Sequence, residues 1–566
     1  QYYRLSSSIR GDTLCYNTLD NGIGRSWAMK PVTGSQDLFK GAMILTVAAL
    51  MTKILSAVYR VPFQNIVGDI GFYIYQQVYP FYGIILILST HGFPVVISKL
   101  YKERMALGKR QEATRLLAIS LFFLNLIGLG LFLIFFLGAE WLASIMGDGQ
   151  LANLFRIMAF PFLIFPFTSV FRGYFQGLGN MVPTAISQVG EQIIRVVTIL
   201  LLSFMLIQAG YSLYEAGSGA VFGSVTGGLV GLVILGFCFF HSQDRTLMNV
   251  YRFKDLTKEA MPIIKTLIFQ GFAISVSGMV LILLQLADSL NLYNILTTGI
   301  LTDDEAKVAK GVFDRGQPLI QLGTVVATSI ALSLVPAITG EKRKQQIIHN
   351  VRIALQLSLL VGAGAAIGLF SIIEPTNRML FEDEQGSFVL GLLSFVILPG
   401  SIMITIIGIL QGVNHSLYPA FIVLFGFGLK FILNYCLVPY SETIGAAIAT
   451  LLAVFVMLVF LVVRLRKVMK QQILASGYIV KVLIASGLMG IFLRIYLFLT
   501  DFLYLYSIHS RMIATFQALS AVTIGAVVYI IIVIKSKLLQ EKELLMLPFG
   551  SKLLFLLPKK TGDDNK

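Results

Sequence analysis

The stretch FRGYFQGLGNMVPTA, residues 171–185, returns in altered form as IGILQGVNHSLYPAF, residues 407–421. Each copy sets a Gln-Gly pair seven or eight positions ahead of a proline, between two long apolar runs. A second echo lies upstream of each copy: THGFPVVISKLYKE (90–103) resembles LSLVPAITGEKRK (332–344). The offsets are about 235 and 242 residues, an interval that holds six apolar runs and their connections. Six is even, so both copies enter a bilayer in the same sense. Parallel repeats of this kind predict two lobes related by an axis along the membrane normal, with a substrate site near mid-membrane between them.

Composition supports the membrane reading. Of 566 residues, 56% are hydrophobic and only 13% charged, and mean hydropathy is +0.81. Soluble domains carry about 25% charged residues. Apolar runs of about 20 residues, the length that crosses a bilayer as a helix, recur along the whole chain. A transmembrane β-barrel would show short alternating segments instead. The three cysteines, Cys15, Cys238 and Cys436, form no CxxC, and the five histidines form no HExxH. Neither a disulfide framework nor a metal site is expected, and no cofactor.

The fold expected is an all-α polytopic membrane protein of about fourteen transmembrane helices, in two six-helix pseudo-symmetric lobes plus two C-terminal helices. The spans lie near 38–61, 73–98, 114–137, 152–177, 183–207, 213–240, 263–290, 315–339, 349–373, 388–411, 418–438, 444–464, 477–499 and 511–535. The domains are then a polar segment 1–35, an amino-terminal lobe 36–240, a linker 241–262, a carboxy-terminal lobe 263–467, two further helices in 468–540 and a basic tail 541–566. Met29-Lys30-Pro31 looks like a natural start, so residues 1–28 are expected to be non-native and are set aside.

Lys and Arg in the connections orient such a chain. KLYKERMALGKRQEATR (99–115) carries six basic residues and two acidic. Arg245, Arg252, Lys254 and Lys258, then GEKRKQQ (340–346), RLRKVMKQQ (464–472) and the lysines of the tail fall on the same side. The opposite connections hold Asp69, Glu140, Asp148, Glu215, Asp303–Glu305, Glu382–Glu384 and Asp501. Both termini are expected to be cytoplasmic in a bacterial plasma membrane. The net charge of +15 is then a topology signal, with anionic headgroups as a secondary contact and no nucleic-acid partner.

Charges inside spans are the functional candidates, because each costs about 2.5–3.5 kcal/mol at the bilayer centre on insertion scales. Glu191 and Arg195 are i,i+4 and can pair on one helix face. A structural ion pair and a ligand site both explain them. Arg172 either faces the interior or snorkels to headgroups. Arg60 and Arg315 lie near span ends and read as ligand groups or interfacial anchors. Lys53 and Lys430 are deep and have no carboxylate one turn away. Lining a hydrated, positive cavity for an anionic passenger such as pyrophosphate suits them. In the sixth span Gly219, Gly223, Gly227 and Gly231 recur every fourth residue, which predicts close helix packing. Prolines 80, 94, 161, 166 and 336 are expected to bend helices.

ILTVAALMTKILSAVYRVPFQNIVGDIGFYIYQQVYPFYG (44–83), GFPVVISKL (92–100), RGYFQG with MVPTAISQVGEQIIRV (172–196) and FDRGQPLIQLGTVVATSIALSLVPAIT (313–339) resemble the polysaccharide biosynthesis and stage V sporulation protein B-like branch of the MOP flippase superfamily, relatives of the lipid II flippases. The resemblance covers about residues 36–540. It implies alternating access and transport of undecaprenyl-pyrophosphate-linked saccharides from the inner to the outer leaflet. It implies pyrophosphate contact at Lys53 and Arg60, where Lys53 departs from the arginine usual in the flippases and lacks its bidentate fork. It further implies a sodium-coupling role for Asp288 and Asn434; the residues by themselves leave sodium, a proton and the membrane potential, which favours outward movement of an anion, as alternative driving forces. Lys430, one turn from Asn434, can replace the ion with its own ammonium. Arg172, Glu191, Arg195, Arg315 and Lys430 complete the expected substrate-facing set. The competing readings are a cation exporter of the same superfamily, a membrane glycosyltransferase and a non-transporting scaffold. Deep charges that lean basic argue against the first. The second lacks an acid/base constellation, a Gly-rich nucleotide loop and any outer connection longer than about 25 residues.

Overall fold

The computed structural model describes residues 35–241, 253–299, 301–331, 343–471, 473–505, 510–536 and 538. Cys15, Met29, Arg245, Arg252, Pro336 and most of the basic tail lie outside the described residues. Every element among the described residues is helical. A helix satisfies each backbone N–H and C=O within its own segment, which an apolar surrounding demands.

The first nine α-helices are α1 (Ser35–Val58), α2 (Arg60–Ile87), α3 (Phe93–Ala106), α4 (Arg110–Leu137), α5 (Ala139–Ile145), α6 (Ala152–Ala159), α7 (Pro161–Gly177), α8 (Val182–Gln208) and α9 (Leu213–His241). They pack as one bundle, with α8 on α9, α3 and α4 on α7, and α1 on α8. The second set is α10 (Phe253–Thr266), α11 (Phe272–Gly278), α12 (Val280–Thr298), α13 (Asp303–Asp314), α14 (Gly316–Gly323), α15 (Lys344–Ser371), α16 (Ile373–Phe381), α17 (Ser387–Ser394), α18 (Ile397–Gly412) and α19 (Leu417–Met469). Here α11 and α12 lie on α19, and α15 lies on α18. Finally α20 (Ser476–Thr500) and α21 (Ser510–Lys535) pack on α15 around a separate apolar cluster that includes Leu359, Met489 and Tyr529.

Twelve helical stretches among the described residues are long and apolar enough to cross a membrane. Two of them, Met43–Ala106 with 64 residues and Leu417–Met469 with 53, are broken inside, at Gly68 and at Ser441–Glu442. At about 1.5 Å per residue, 53 residues reach about 80 Å, more than twice a hydrocarbon core of about 30 Å. Each is therefore long enough for two crossings. The seventh run of the sequence is divided at Met279 into Ala260–Gly278 and Val280–Thr298. The eighth run continues into residues 332–342, outside the described residues.

The first turn corrects the expected span boundary. Only Tyr59 separates α1 from α2, and the chain stays helical to Val67. It breaks at Gly68, with φ 69° and ψ −174°, a region essentially restricted to glycine. Arg60 thus lies about two helical turns inside the run, not near its end.

The repeat has a local structural counterpart. Helix α7 ends at Gly177 and α8 starts at Val182, while α18 ends at Gly412 and α19 starts at Leu417. Three positions after each Gln of the Gln-Gly pair the backbone is left-handed, at Gly179 (φ 79°) and Asn414 (φ 62°). Glycine and asparagine are the residues that tolerate this conformation.

Two π-helical turns tie the bundles together. One, Leu88–Gly92, precedes Phe93-Pro94; the other, Leu267–Gly271, joins α10 to α11. A Cβ on Gly92 would sit 1.6 Å from Ser275 Oγ of α11, so this crossing admits only glycine. The bundles also meet where α2 touches α12 and α13, and where α1 touches α14.

Candidate functional site

Two polar clusters occupy the bundle interiors, and a third closes the end where Asp69, Asp148, Asp303 and Asp383 gather. The first begins at Arg172 of α7. Its Nη2 donates to Glu191 Oε2 at 2.7 Å, its Nη1 to Ser89 O at 3.1 Å, and its Nε to Ser187 Oγ at 3.3 Å. Tyr82 donates its hydroxyl to the other Glu191 oxygen at 3.2 Å. The expected Glu191–Arg195 pair is therefore replaced by Glu191–Arg172. Both partners are buried, so Arg172 does not snorkel. The physical reason is lateral packing: a neighbouring helix brings a guanidinium into line with Glu191, whereas Arg195 sits one turn along its own helix.

Arg195 faces rings instead. Its Cζ lies 4.5 Å from the Tyr82 ring centroid and 5.4 Å from that of Tyr59. Arg60 Cζ lies 4.2 Å from the Tyr79 centroid. The Tyr59 and Tyr75 hydroxyls bond each other at 2.8 Å. All three nitrogens of Arg60 and of Arg195 lack a hydrogen-bond partner, and both residues are fully buried. Arg60 is therefore no interfacial anchor. Desolvated cation–π contacts offer about 2 kcal/mol or more each, against several kcal/mol for each buried charge. The cluster holds three guanidiniums and one carboxylate, a net positive interior.

The glycines of α9 permit this assembly. A Cβ on Gly227 would meet Glu191 O at 2.7 Å and Arg195 Cβ at 2.9 Å, and one on Gly223 would meet Arg195 O at 2.9 Å. The stripe lets α8 approach α9 along the turns that carry Glu191 and Arg195.

Lys53 of α1 reaches out of its own bundle. Its Nζ donates to Thr328 Oγ1 at 3.1 Å, a residue in the helical segment 325–331 that follows α14.

The second cluster lies in the other bundle. Lys430 Nζ is 2.5 Å from Asp288 Oδ2, and Asn434 Nδ2 is 3.1 Å from Asp288 Oδ1 and 2.8 Å from Asn291 Oδ1. Asn291 in turn donates to Phe431 O at 2.9 Å. Beside them Lys310 and Asp314 of α13 pair at 2.5 Å. All four charged groups are buried.

At the acidic end Arg315 is a junction. Nη2 donates to Asp69 Oδ2 at 2.7 Å and Nε to Asp69 Oδ1 at 3.0 Å. Nη1 donates to Asp383 Oδ1 at 2.7 Å and Nη2 to Asp383 Oδ2 at 2.9 Å. Arg315 is buried between the bundles, not anchored at an interface with lipid. Nearby, Tyr73 and Tyr214 both donate to Asp148 Oδ2, at 3.1 and 2.7 Å. The Tyr73 and Tyr293 rings meet with centroids 5.0 Å apart.

The structure thus brings Arg60, Arg172, Glu191 and Arg195 together, joins Asp288, Asn434 and Lys430, and holds Arg315 apart from both groups, while Lys53 bonds Thr328 and also interacts electrostatically with Tyr79, the ring beneath Arg60. Sequence reasoning missed the tyrosines 59, 75, 79 and 82, Asn291, Thr328 and the Lys310–Asp314 pair. Only the last had a readable signal, an i,i+4 pair of opposite charges just ahead of the eighth apolar run. The tyrosines of GFYIYQQVYPFY (71–82) offered an aromatic run with no indication of which face met the arginines.

Residues 38–340 match the family model described as polysaccharide biosynthesis protein. The chain belongs to that family. It is 43% identical over 541 residues to the uncharacterized membrane protein YabM of Bacillus subtilis, covering 94% of this chain and 97% of the relative. It is 25% identical to the lipid II flippase MurJ of Bacillus subtilis over 534 residues, covering 88% and 95%. Among solved structures it is similar to lipid II flippase MurJ in an inward closed conformation, with TM-score 0.64, 16% identity, and coverage of 87% of this chain and 98% of that one. The family member described here is a multi-pass membrane protein with the MurJ-type fold and bacterial relatives.

Proposed function

We propose that the protein is a flippase, not an enzyme, that moves undecaprenyl-pyrophosphate-linked saccharide precursors of the cell wall or surface polysaccharide from the inner to the outer leaflet by alternating access. The observation that carries the reading is the uncompensated positive charge of the first bundle. Arg60 and Arg195 have no carboxylate partner, and Lys53 faces only a hydroxyl across the bundle contact. A pyrophosphate supplies the missing negative charge through charge-assisted hydrogen bonds. A cation exporter would need the opposite polarity. On this reading the acidic end faces outward, both termini are cytoplasmic, the crossings number fourteen, and Arg315 closes the outer side. The Lys430 ammonium, held by Asp288 beside Asn434, stands where a coupling cation would otherwise bind.

The test is translocation in proteoliposomes with defined undecaprenyl-pyrophosphate saccharides. Wild type is expected to move them, and Lys53→Ala to lose at least tenfold in rate, the effect of about 1.4 kcal/mol. Absence of transport of any such lipid by folded wild-type protein overturns the reading.

A further inference from the structure

The second bundle contains a set of buried charges that pyrophosphate binding does not use. Asp288 on α12, Lys430 on α19, and Lys310 with Asp314 on α13 lie at or near zero exposure. Two carboxylates match two ammoniums. The two pairs act on each other electrostatically as well as within themselves. Helix α13 packs against α12, α19 and α2. The charge that α2 presents to it, Asp69, is turned to Arg315.

The four groups are unequally satisfied. Both oxygens of Asp288 accept N–H donors, from Lys430 and Asn434. A metal cation would have to displace them. Asp314 Oδ2 accepts from Lys310, while its Oδ1 is buried with no partner. That oxygen is the one carboxylate acceptor of the quartet without a donor.

The same helix carries the closure at the acidic end. The residue after α13 is Arg315, whose guanidinium holds Asp69 from one bundle and Asp383 from the other. A Cβ on Gly311 would meet Asp69 O at 2.2 Å, so the α13 backbone is pressed directly on the turn of α2. Lys307, one turn earlier, pairs with Asp303 at 2.7 Å and lies over the Tyr214 ring of α9. One face of α13 therefore touches the charge quartet, and another touches the first bundle.

We propose that Lys310, Asp314, Asp288 and Lys430 form a proton-binding site, loaded at Asp314, whose occupancy α13 reads out at the closure between the bundles. Loading forms one O–H bond at Asp314 Oδ1, with the proton taken from hydronium in the aqueous phase and no change in oxidation state. The quartet passes from neutral to a net charge of plus one. Lys310 loses its counter-ion in a buried setting, and an unpaired buried charge is strongly destabilising. Displacement of α13 relieves it and draws Arg315 and Gly311 off Asp69. The site supplies a coupling ion for the transport reading, yet its test needs no transported lipid, so the two fail separately.

The experiment uses the full chain in nanodiscs, with the native cysteines replaced by serine and spin labels at Gln150→Cys and Asp304→Cys. Infrared difference spectra on acidification are expected to show a carboxylic C=O band in wild type that Asp314→Asn removes. The label distance should lengthen on acidification in wild type and stay long at every pH in Asp314→Asn. Lys310→Gln removes the charge that protonation of Asp314 would leave unpaired, so the label distance should stay short at every pH; a distance that still lengthens on acidification in this variant overturns the proposal, and this variant decides the matter should Asp314→Asn not fold. The proposal is overturned by a band that persists unchanged in Asp314→Asn, by a label distance insensitive to pH in wild type, or by sodium at constant pH producing the same lengthening.

Discussion

At the residue scale, the pairing in the first bundle separates two guanidiniums of one cluster into different roles. Arg172 is saturated by Glu191, Ser89 and Ser187. Its loss leaves a buried carboxylate with only Tyr82 as donor. Arg172→Ala should therefore destabilise the protein by about 3–5 kcal/mol, the cost of breaking a buried pair by removing one partner, seen as a lowered melting temperature in detergent. Arg195 has no such bond to lose. Arg195→Gln removes a buried, unpaired charge and should leave the melting temperature unchanged or raised while transport of a pyrophosphate lipid falls. A drop in melting temperature equal to that of Arg172→Ala would place Arg195 in the structural network instead.

At the scale of elements, the stripe on α9 is a test of contact against propensity. At Gly227 a side chain would run into the backbone of Glu191, whereas at Gly236, on the same helix, a Cβ would meet nothing within 4 Å. Gly227→Val should cost about 1–3 kcal/mol or more through overpacking and push α8 away from α9. Gly236→Ala should be neutral or slightly stabilising, since alanine is the better helix former by about 1 kcal/mol. Thermal melts of the two variants side by side check this.

At the scale of the whole molecule, the two bundles meet at the acidic end around a buried arginine, Arg315, shared between Asp69 of one and Asp383 of the other. Asp69→Asn keeps the shape of the side chain and removes one charge. It should loosen the closure, read in a background without the native cysteines as faster labelling of the Val312→Cys variant, a buried position on α13, by a membrane-impermeant maleimide, with little change in melting temperature. Unchanged labelling would mean that the tyrosines around Asp148 hold the closure without Arg315.

Helical class, membrane character and the family were legible in order of residues alone, because apolar runs of bilayer length leave the backbone no alternative to helix. The repeat was legible too: Gly179 and Asn414 occupy the same left-handed position in the two copies, and that need is local to a turn. The clustering of Arg60, Arg172, Glu191 and Arg195 was half legible: the apolar runs marked Glu191 and Arg195 as charges to be shielded, while Arg60 and Arg172, nearer the expected span ends, could equally have reached the interface. Partner choice was not. Glu191 to Arg172, Lys430 to Asp288 and Arg315 to Asp69 join residues 19, 142 and 246 positions apart. Such contacts depend on how neighbouring helices rotate and slide. What sequence by itself determined was that runs of bilayer length are helical and which charges lie in or beside them; only the tertiary structure decided which of those charges are hidden and which neutralises which, because that follows from side-chain packing between helices rather than from any period within one.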